Sequence, residues 1–127
     1  MATDEQIEQE IQTKGLTAPR ITPADIEANI ASEHYFTAGQ GAIAGAAQYA
    51  AEQNQQLPQG SDFPASLQLL TFCVLVLRNG FTVTGESACA SPENFDAEVG
   101  QKIARQNAVQ KIWPLMGYAL KERLTGA

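Results

Sequence analysis

Six side chains in the 127-residue sequence are groups that folding alone does not demand: Arg78, Phe81, Glu86, Ser87, Asn94 and Arg105. An arginine presents a planar fork to phosphate oxygens, and an aromatic ring presents a stacking face. Carboxylate, hydroxyl and amide groups read ribose and base edges. Ser91, Asn94 and Asp96 crowd the start of an expected helix, where unpaired backbone N–H groups favour an anion. Taken together these groups suit the binding of a nucleotide. Each also has a plainer reading: a solvated Arg78, a core Phe81, an Asn94 that only caps a helix.

Catalytic sets are missing where they would be sought. His34 is the one histidine, and beside Tyr35 and Phe36 it reads as a packed or surface residue rather than a base. Cys73 and Cys89 are too few for zinc, which takes four convergent ligands. Gly39-x-Gly41-x-x-x-Gly45 echoes a dinucleotide loop but lacks the preceding strand and the downstream acid, so it reads as a linker. Ser87 beside Glu86 has no partner that would make it a nucleophile. The expectation is a binding protein with no enzymatic activity, no metal and no cofactor.

The element that must position these groups is the stretch Leu67–Ala90, the richest in β-formers. Asn79-Gly80 at its centre predicts a two-residue hairpin with a type I′ turn. That register pairs Arg78 with Phe81, Val76 with Val83, Val74 with Gly85 and Phe72 with Ser87. The other face pairs Leu77 with Thr82, Leu75 with Thr84 and Cys73 with Glu86. The first strand is then apolar on both faces and requires cover on both: one from the helix that follows, the other from the N-terminal region or a second subunit. Cys73 and Cys89 fall on opposite faces and do not bridge. With no signal peptide, this points to a reducing cytoplasm. The apolar run Phe72–Leu77 is far too short to span a membrane.

Elsewhere, Thr3-Asp4-Glu5-Gln6 and Thr22-Pro23-Ala24-Asp25 carry helix-start signals. Gly15 ends the first helix, with Ile7 and Ile11 on one side; Ile26 and Ile30 mark the buried side of the second. His34-Tyr35-Phe36 is a candidate third strand. Residues 37–66 read as an insert, with a small helix near 42–53 and then a polar loop. After the hairpin, Ser91-Pro92-Glu93 starts a helix with two i+4 rows: Phe95, Val99, Ile103, and Ala104, Ala108, Ile112. Gly100 within it implies a close approach to another backbone. Trp113-Pro114 ends it, and a last helix runs to about Arg123. The fold class is α+β: a small antiparallel β-sheet built on a hairpin over about 67–89, with N-terminal helices and two C-terminal helices, completed by oligomerisation. The chain reads as a single domain over 1–127, divided into N-terminal helices (1–36), the insert (37–66) and a core (67–127). At 44% hydrophobic it can bury such a core. The net charge of −6 is uneven: residues 1–66 carry nine acids and two bases, whereas 67–127 carry five acids and six bases. This excludes duplex nucleic acid, which needs a basic face, but not a small anion held by one or two arginines.

The block Leu70–Leu124 resembles the small phage and prophage proteins of the gene-product-forty-nine family. The resemblance rests on Asn79-Gly80-Phe81, Gly85-Glu86-Ser87-Ala88-Cys89, Pro92-x-Asn94-Phe95-Asp96, Gly100-x-Lys102-x-Ala104, Asn107-Ala108, and Trp113 followed by Gly117-Tyr118. Ile26 to Phe36 resembles the family more loosely. Met116 departs from the pattern, an acid being expected before Gly117; the insert departs too and bears on a pocket edge or a subunit contact. The block is also similar to the first type of Thoeris anti-defence protein. Those are phage sponges that bind cyclic ADP-ribose isomers made by bacterial TIR enzymes; some also hold cyclic oligonucleotides at separate sites. They combine a small β-sheet with C-terminal helices and assemble as dimers or larger rings.

What the resemblance implies is sequestration of a cyclic nucleotide signal without turnover, in the host bacterial cytoplasm, by a homo-oligomer (dimer or hexamer). On that reading Phe81 stacks on adenine, Arg78 or Arg105 pairs with the diphosphate, and Asn94, Glu86 and Ser87 hold ribose or base edges. Closure by two subunits would desolvate such a ligand better than an open groove. The alternative is a protein-interaction module that inhibits a host factor through the acidic N-terminal half.

Overall fold

The computed structural model describes residues 2–126. Helix α1 (Asp4–Thr13) and the short α2 (Pro23–Ala28) both open on capping boxes, Thr3 with Gln6 and Thr22 with Asp25. Gly15, at φ +68°, turns the chain after α1. Strand β1 (Ile30–Thr37) extends the expected His34–Phe36 segment at both ends and runs straight into α3 (Ala38–Glu52). The glycines read as a linker are thus helical, and the helix begins four residues before the expected start. The Thr37 hydroxyl accepts from the Gln40 N–H and supplies the cap. Two turns of 3-10 helix, Gly60–Asp62 and Ala65–Leu69, lead into β2 (Leu70–Leu77). Strand β3 (Thr82–Ala88) follows, then a 3-10 turn at Pro92–Asn94 and helix α4 (Ala97–Leu124). The sheet is antiparallel in the order β1-β2-β3, which with the helices makes the α+β fold expected.

The hairpin forms, but its register lies one residue from the prediction. Leu75 pairs with Val83, Cys73 with Gly85 and Thr71 with Ser87. Its corner has three residues rather than two: the Leu77 N–H donates to the Phe81 carbonyl, and the Gly80 N–H donates to the Leu77 carbonyl. Gly80 is left-handed at φ +88° while Asn79 is not, the combination of a type I turn followed by a glycine bulge. A one-residue shift moves every side chain of one strand to the other face. The shift places Val83 and Gly85 beside Cys73, Leu75 and Leu77 on the face that packs against α4. It also puts odd-numbered positions of both strands on one face, so opposite faces are not what keeps the cysteines apart. Cys89 lies just past the end of β3, and both thiols are free.

What selects this register is the fit of β3 to α4. A Cβ on Gly85 would overlap the Ala104 carbonyl oxygen and the Ala108 backbone nitrogen. Ala104, Ala108 and Ile112 are fully buried, as is the sheet face they meet. Close packing between sheet and helix therefore needs glycine on one side and alanine on the other. Gly100, one turn earlier, packs against the Thr71 side chain rather than against another backbone.

The N-terminal region does not cover the second face of β2. Ile26 is buried and Ile21 partly buried, and both join the α4 side of the sheet. The opposite face keeps Phe72, Val74 and Val76 half-buried, with Phe36 stacked on Phe72 at 5.6 Å between ring centres. The predicted pair of C-terminal helices is one helix of 28 residues with Pro114 inside it. A mid-helix proline costs about 3 kcal/mol. Offsetting this, partly buried residues on both sides of the proline, Trp113 before it and Met116 after it, pack on the core. Pro114 itself is exposed, and so is Gln110, whose carbonyl loses its donor. Ser91 is not the cap either: Asp96 accepts from the Val99 N–H at 2.9 Å and starts α4 after the 3-10 turn.

Gly85→Ala is expected to lower stability in urea unfolding by about 2 kcal/mol or more, because the added methyl meets backbone that has no room to yield. Gly117→Ala, in the same long helix with open space at its Cβ, should raise it by about 0.5–1 kcal/mol.

Candidate functional site

Two recesses flank the sheet–helix contact. The larger, about 530 Å³, lies at the hairpin corner, between α2, the Pro19–Ile21 segment and the second half of α4. Its floor is apolar, made by Ile21, Met116, Ala119 and Leu120. Its rim carries Arg20, Arg78 and Arg123 against one carboxylate, Asp25. Asp25 is itself occupied in capping α2, accepting from the Thr22 N–H at 2.9 Å. Arg78 is fixed from behind: its backbone N–H donates to the Asn29 carbonyl at 3.0 Å and its Nε to the Ala28 carbonyl, closing the end of α2. Three arginine residues therefore line one recess with an apolar floor in a protein whose net charge is −6.

The second recess, about 290 Å³, lies at the other end of the hairpin under the start of α4, lined by Thr71, Ser87, Cys89, Asn94 and Gly100 among others. The Thr71 hydroxyl is buried there without a hydrogen-bond partner.

The six residues singled out in the sequence do not meet in one recess. Arg78 lines the larger cleft; Ser87 and Asn94 line the smaller. Seven residues of strand separate these ends, roughly 20 Å. Phe81 stands out from the corner, 56% exposed. Glu86 projects from the edge strand, with the Lys111 ammonium 3.8 Å away. Arg105 is fully engaged: both Nη atoms donate to Glu27, at 3.1 and 2.8 Å, and Nε donates to Glu33 at 3.2 Å. Its pairing with Glu27 first, then Glu33, holds the guanidinium above its usual range, and Arg105 in turn holds the Glu27 carboxyl below the usual carboxylate range. Tyr35 completes the cluster by donating to Glu33 at 2.7 Å. Arg105 thus clamps α4 to α2 and β1. Asn107, two residues on, turns the other way and donates to the Glu86 carbonyl on the β3 edge.

Arg20 and Arg123 are not among the six residues that the sequence points to. Arg20 sits in the acid-rich half, and an expected helix break at Pro114 puts Arg123 at the end of a separate last helix. The signal was present: the i+4 row Ala104, Ala108, Ile112 continues through Met116 and Leu120, which carries Arg123 to the cleft rim.

A model of one family matches residues 21–124, most of the chain and all of the fold except α1. The chain belongs to the phage protein (N4 Gp49/phage Sf6 gene 66) family. The match runs through the segment 37–66 as well as the hairpin and α4. Both recesses are built largely from family residues, whereas Pro19 and Arg20 of the larger one lie just before the matched region. No curated protein and no solved structure matches the chain. Among the described residues, no helix is long and apolar enough to cross a membrane, and no three His, Cys, Asp or Glu side chains converge to hold a metal.

Arg20 is already matched by Glu8. The Arg20 guanidinium, with Gln12 adding to it, holds the Glu8 carboxyl down at about 2, against an ordinary value of 4.5. A carboxyl depressed by folding stabilises the contact above its unfolded pKa and loses that contribution as pH falls through the folded one. Trp113, whose Nε1 donates to Asp4 of α1, reports the docking. Its fluorescence should change as pH falls from 4.5 to about 2, and Glu8→Gln should already show the changed signal at pH 7.

Proposed function

We propose that this phage family member binds and retains a small nucleotide-type anion, sequestering an immune signal of the host without turning it over. The ligand best suited to the resemblance is a cyclic ADP-ribose isomer, whose diphosphate joins two riboses in a ring that holds one adenine. The observation that carries the reading is the arginine-rimmed cleft. Arg78 and Arg123 offer charge-assisted hydrogen bonds to phosphate oxygens, and the Ile21, Met116 and Leu120 floor takes a base or ribose face. Guanidinium groups neither accept nor release protons near neutrality, so these residues suit binding rather than acid–base chemistry.

The acidic half supports the alternative less well. Of its nine acids, Glu8, Glu10, Glu27 and Glu33 are in ion pairs, and Asp25 and Asp62 bond backbone N–H groups at turn or helix starts. It offers little unpaired charge to a partner. Homo-oligomerisation belongs to the same reading. Of the i+4 row Phe95, Val99 and Ile103, Val99 and Ile103 are about half exposed beside the smaller recess.

The test incubates the protein with a TIR-derived cyclic ADP-ribose isomer, removes protein and ligand together by filtration, then heat-denatures the protein and measures what returns. Depletion followed by recovery of intact ligand is expected. Arg78→Ala and Arg123→Ala should each weaken binding by roughly tenfold or more; Phe81→Ala and Asn94→Ala should leave it within about twofold of wild type. Loss of binding in Phe81→Ala and Asn94→Ala, with the arginine variants unaffected, would move the site to a two-copy interface. No depletion would end the proposal for this ligand.

A further inference from the structure

Helix α1 is attached to the body of the protein in an unusual way. It buries none of its residues, and Ile7 on its inner side is still 48% exposed. Beneath it a hollow of about 220 Å³ separates Ile7 and Ile11 from Ile21, Pro23 and Trp113. Polar contacts do the holding. Asp4 accepts from Trp113 Nε1 and Gln110 Nε2, each at 3.3 Å. Glu8 takes both Nη atoms of Arg20, one at 2.8 Å, while Gln12 steadies the same carboxylate at 2.7 Å. The pair is shielded, its side chains 27% and 17% exposed.

Arg20 thus faces two ways, toward Glu8 and into the wall of the arginine cleft. A carboxylate seated fork-to-fork on a guanidinium uses the same parallel N–H donors that a phosphoryl group would use. Arg78 and Arg123 make no such pair with a carboxylate among the described residues. A ligand with one phosphoryl group can be served by those two. A second phosphoryl group in the cleft needs the donors that Glu8 holds.

We propose that Glu8 is a built-in competitor for Arg20, so that a diphosphate entering the cleft displaces it and releases α1, whereas a monophosphate does not. The inference rests on the reading of the cleft as an anion site and adds two things: the ligand class is set by Glu8, and ligand capture is coupled to an opening at the N-terminal end of the chain. Coupling of this kind is reciprocal. Whatever factor Glu8 takes from the affinity is the factor by which the ligand favours the undocked helix.

The experiment titrates the full chain, wild type and Glu8→Gln, with pyrophosphate and with inorganic phosphate by calorimetry, and follows amide hydrogen exchange of α1 in the same solutions. Pyrophosphate should bind wild type and speed exchange across Asp4–Thr13; phosphate should leave that exchange unchanged. Glu8→Gln should bind pyrophosphate tighter by about fivefold or more, with α1 exchanging fast before any ligand is added. Unchanged affinity in Glu8→Gln, or pyrophosphate binding that leaves wild-type α1 protected, overturns the competition while the anion cleft stands. No pyrophosphate binding to either protein overturns the cleft and the competition together.

Discussion

The structure depends on a contact that exists because side chains are missing from it. Gly85 on β3 meets the backbone of α4 at Ala104 and Ala108, closer than any side chain would allow. That contact sets the distance between sheet and helix, and it decides which face of the hairpin is inward. Once Gly85 points at α4, Val83 and the β2 residues Cys73, Leu75 and Leu77 share the buried face, and the corner must take the extra residue that gives Gly80 its left-handed turn. The recesses then fall at the two ends of the seam, one where the hairpin turns and one where α4 begins.

Much of this was legible in the sequence. The hairpin, the capping boxes at Thr3 and Thr22, the strand at His34–Phe36 and the buried row on the last helix all follow from local spacing. The register did not, because Asn-Gly is compatible with two corners that differ by one residue. Only the long-range demand for glycine against α4 separates them, and Gly85 lies six residues from the corner. The continuity of α4 is hidden from local spacing for a similar reason. Proline at 114 is a strong local stop, and burial of Trp113 and Met116 outweighs it. The same two features decide where the arginines of the cleft stand. A shifted register and a broken helix scatter Arg78 and Arg123, whereas the folded chain places both on one rim.

The charges follow an economy of their own. Residues 1–66 are strongly acidic as a string but not as a surface. Glu27 and Glu33 converge on Arg105, and Glu8 converges on Arg20. Both arrangements bind the N-terminal segments to later elements, Arg105 by joining α2 and β1 to α4. Paired internally, these carboxylates do little to cancel the field of Arg78 and Arg123, which is how an acidic protein carries a basic cleft.

The unbroken α4 has a consequence for how such a protein can diversify. Its first half is tied to the sheet at Gly85, where a single methyl group would be felt. Its last turns, from Gly117 to Arg123, lie beyond the residues that pack on the core and contribute Ala119, Leu120 and Arg123 to the cleft without entering that seam. Substitutions there alter the shape and charge offered to a ligand while the anchorage of the rod is untouched. On the proposed reading, other members of the family would have, in this overhang, a region free to vary at little risk to folding.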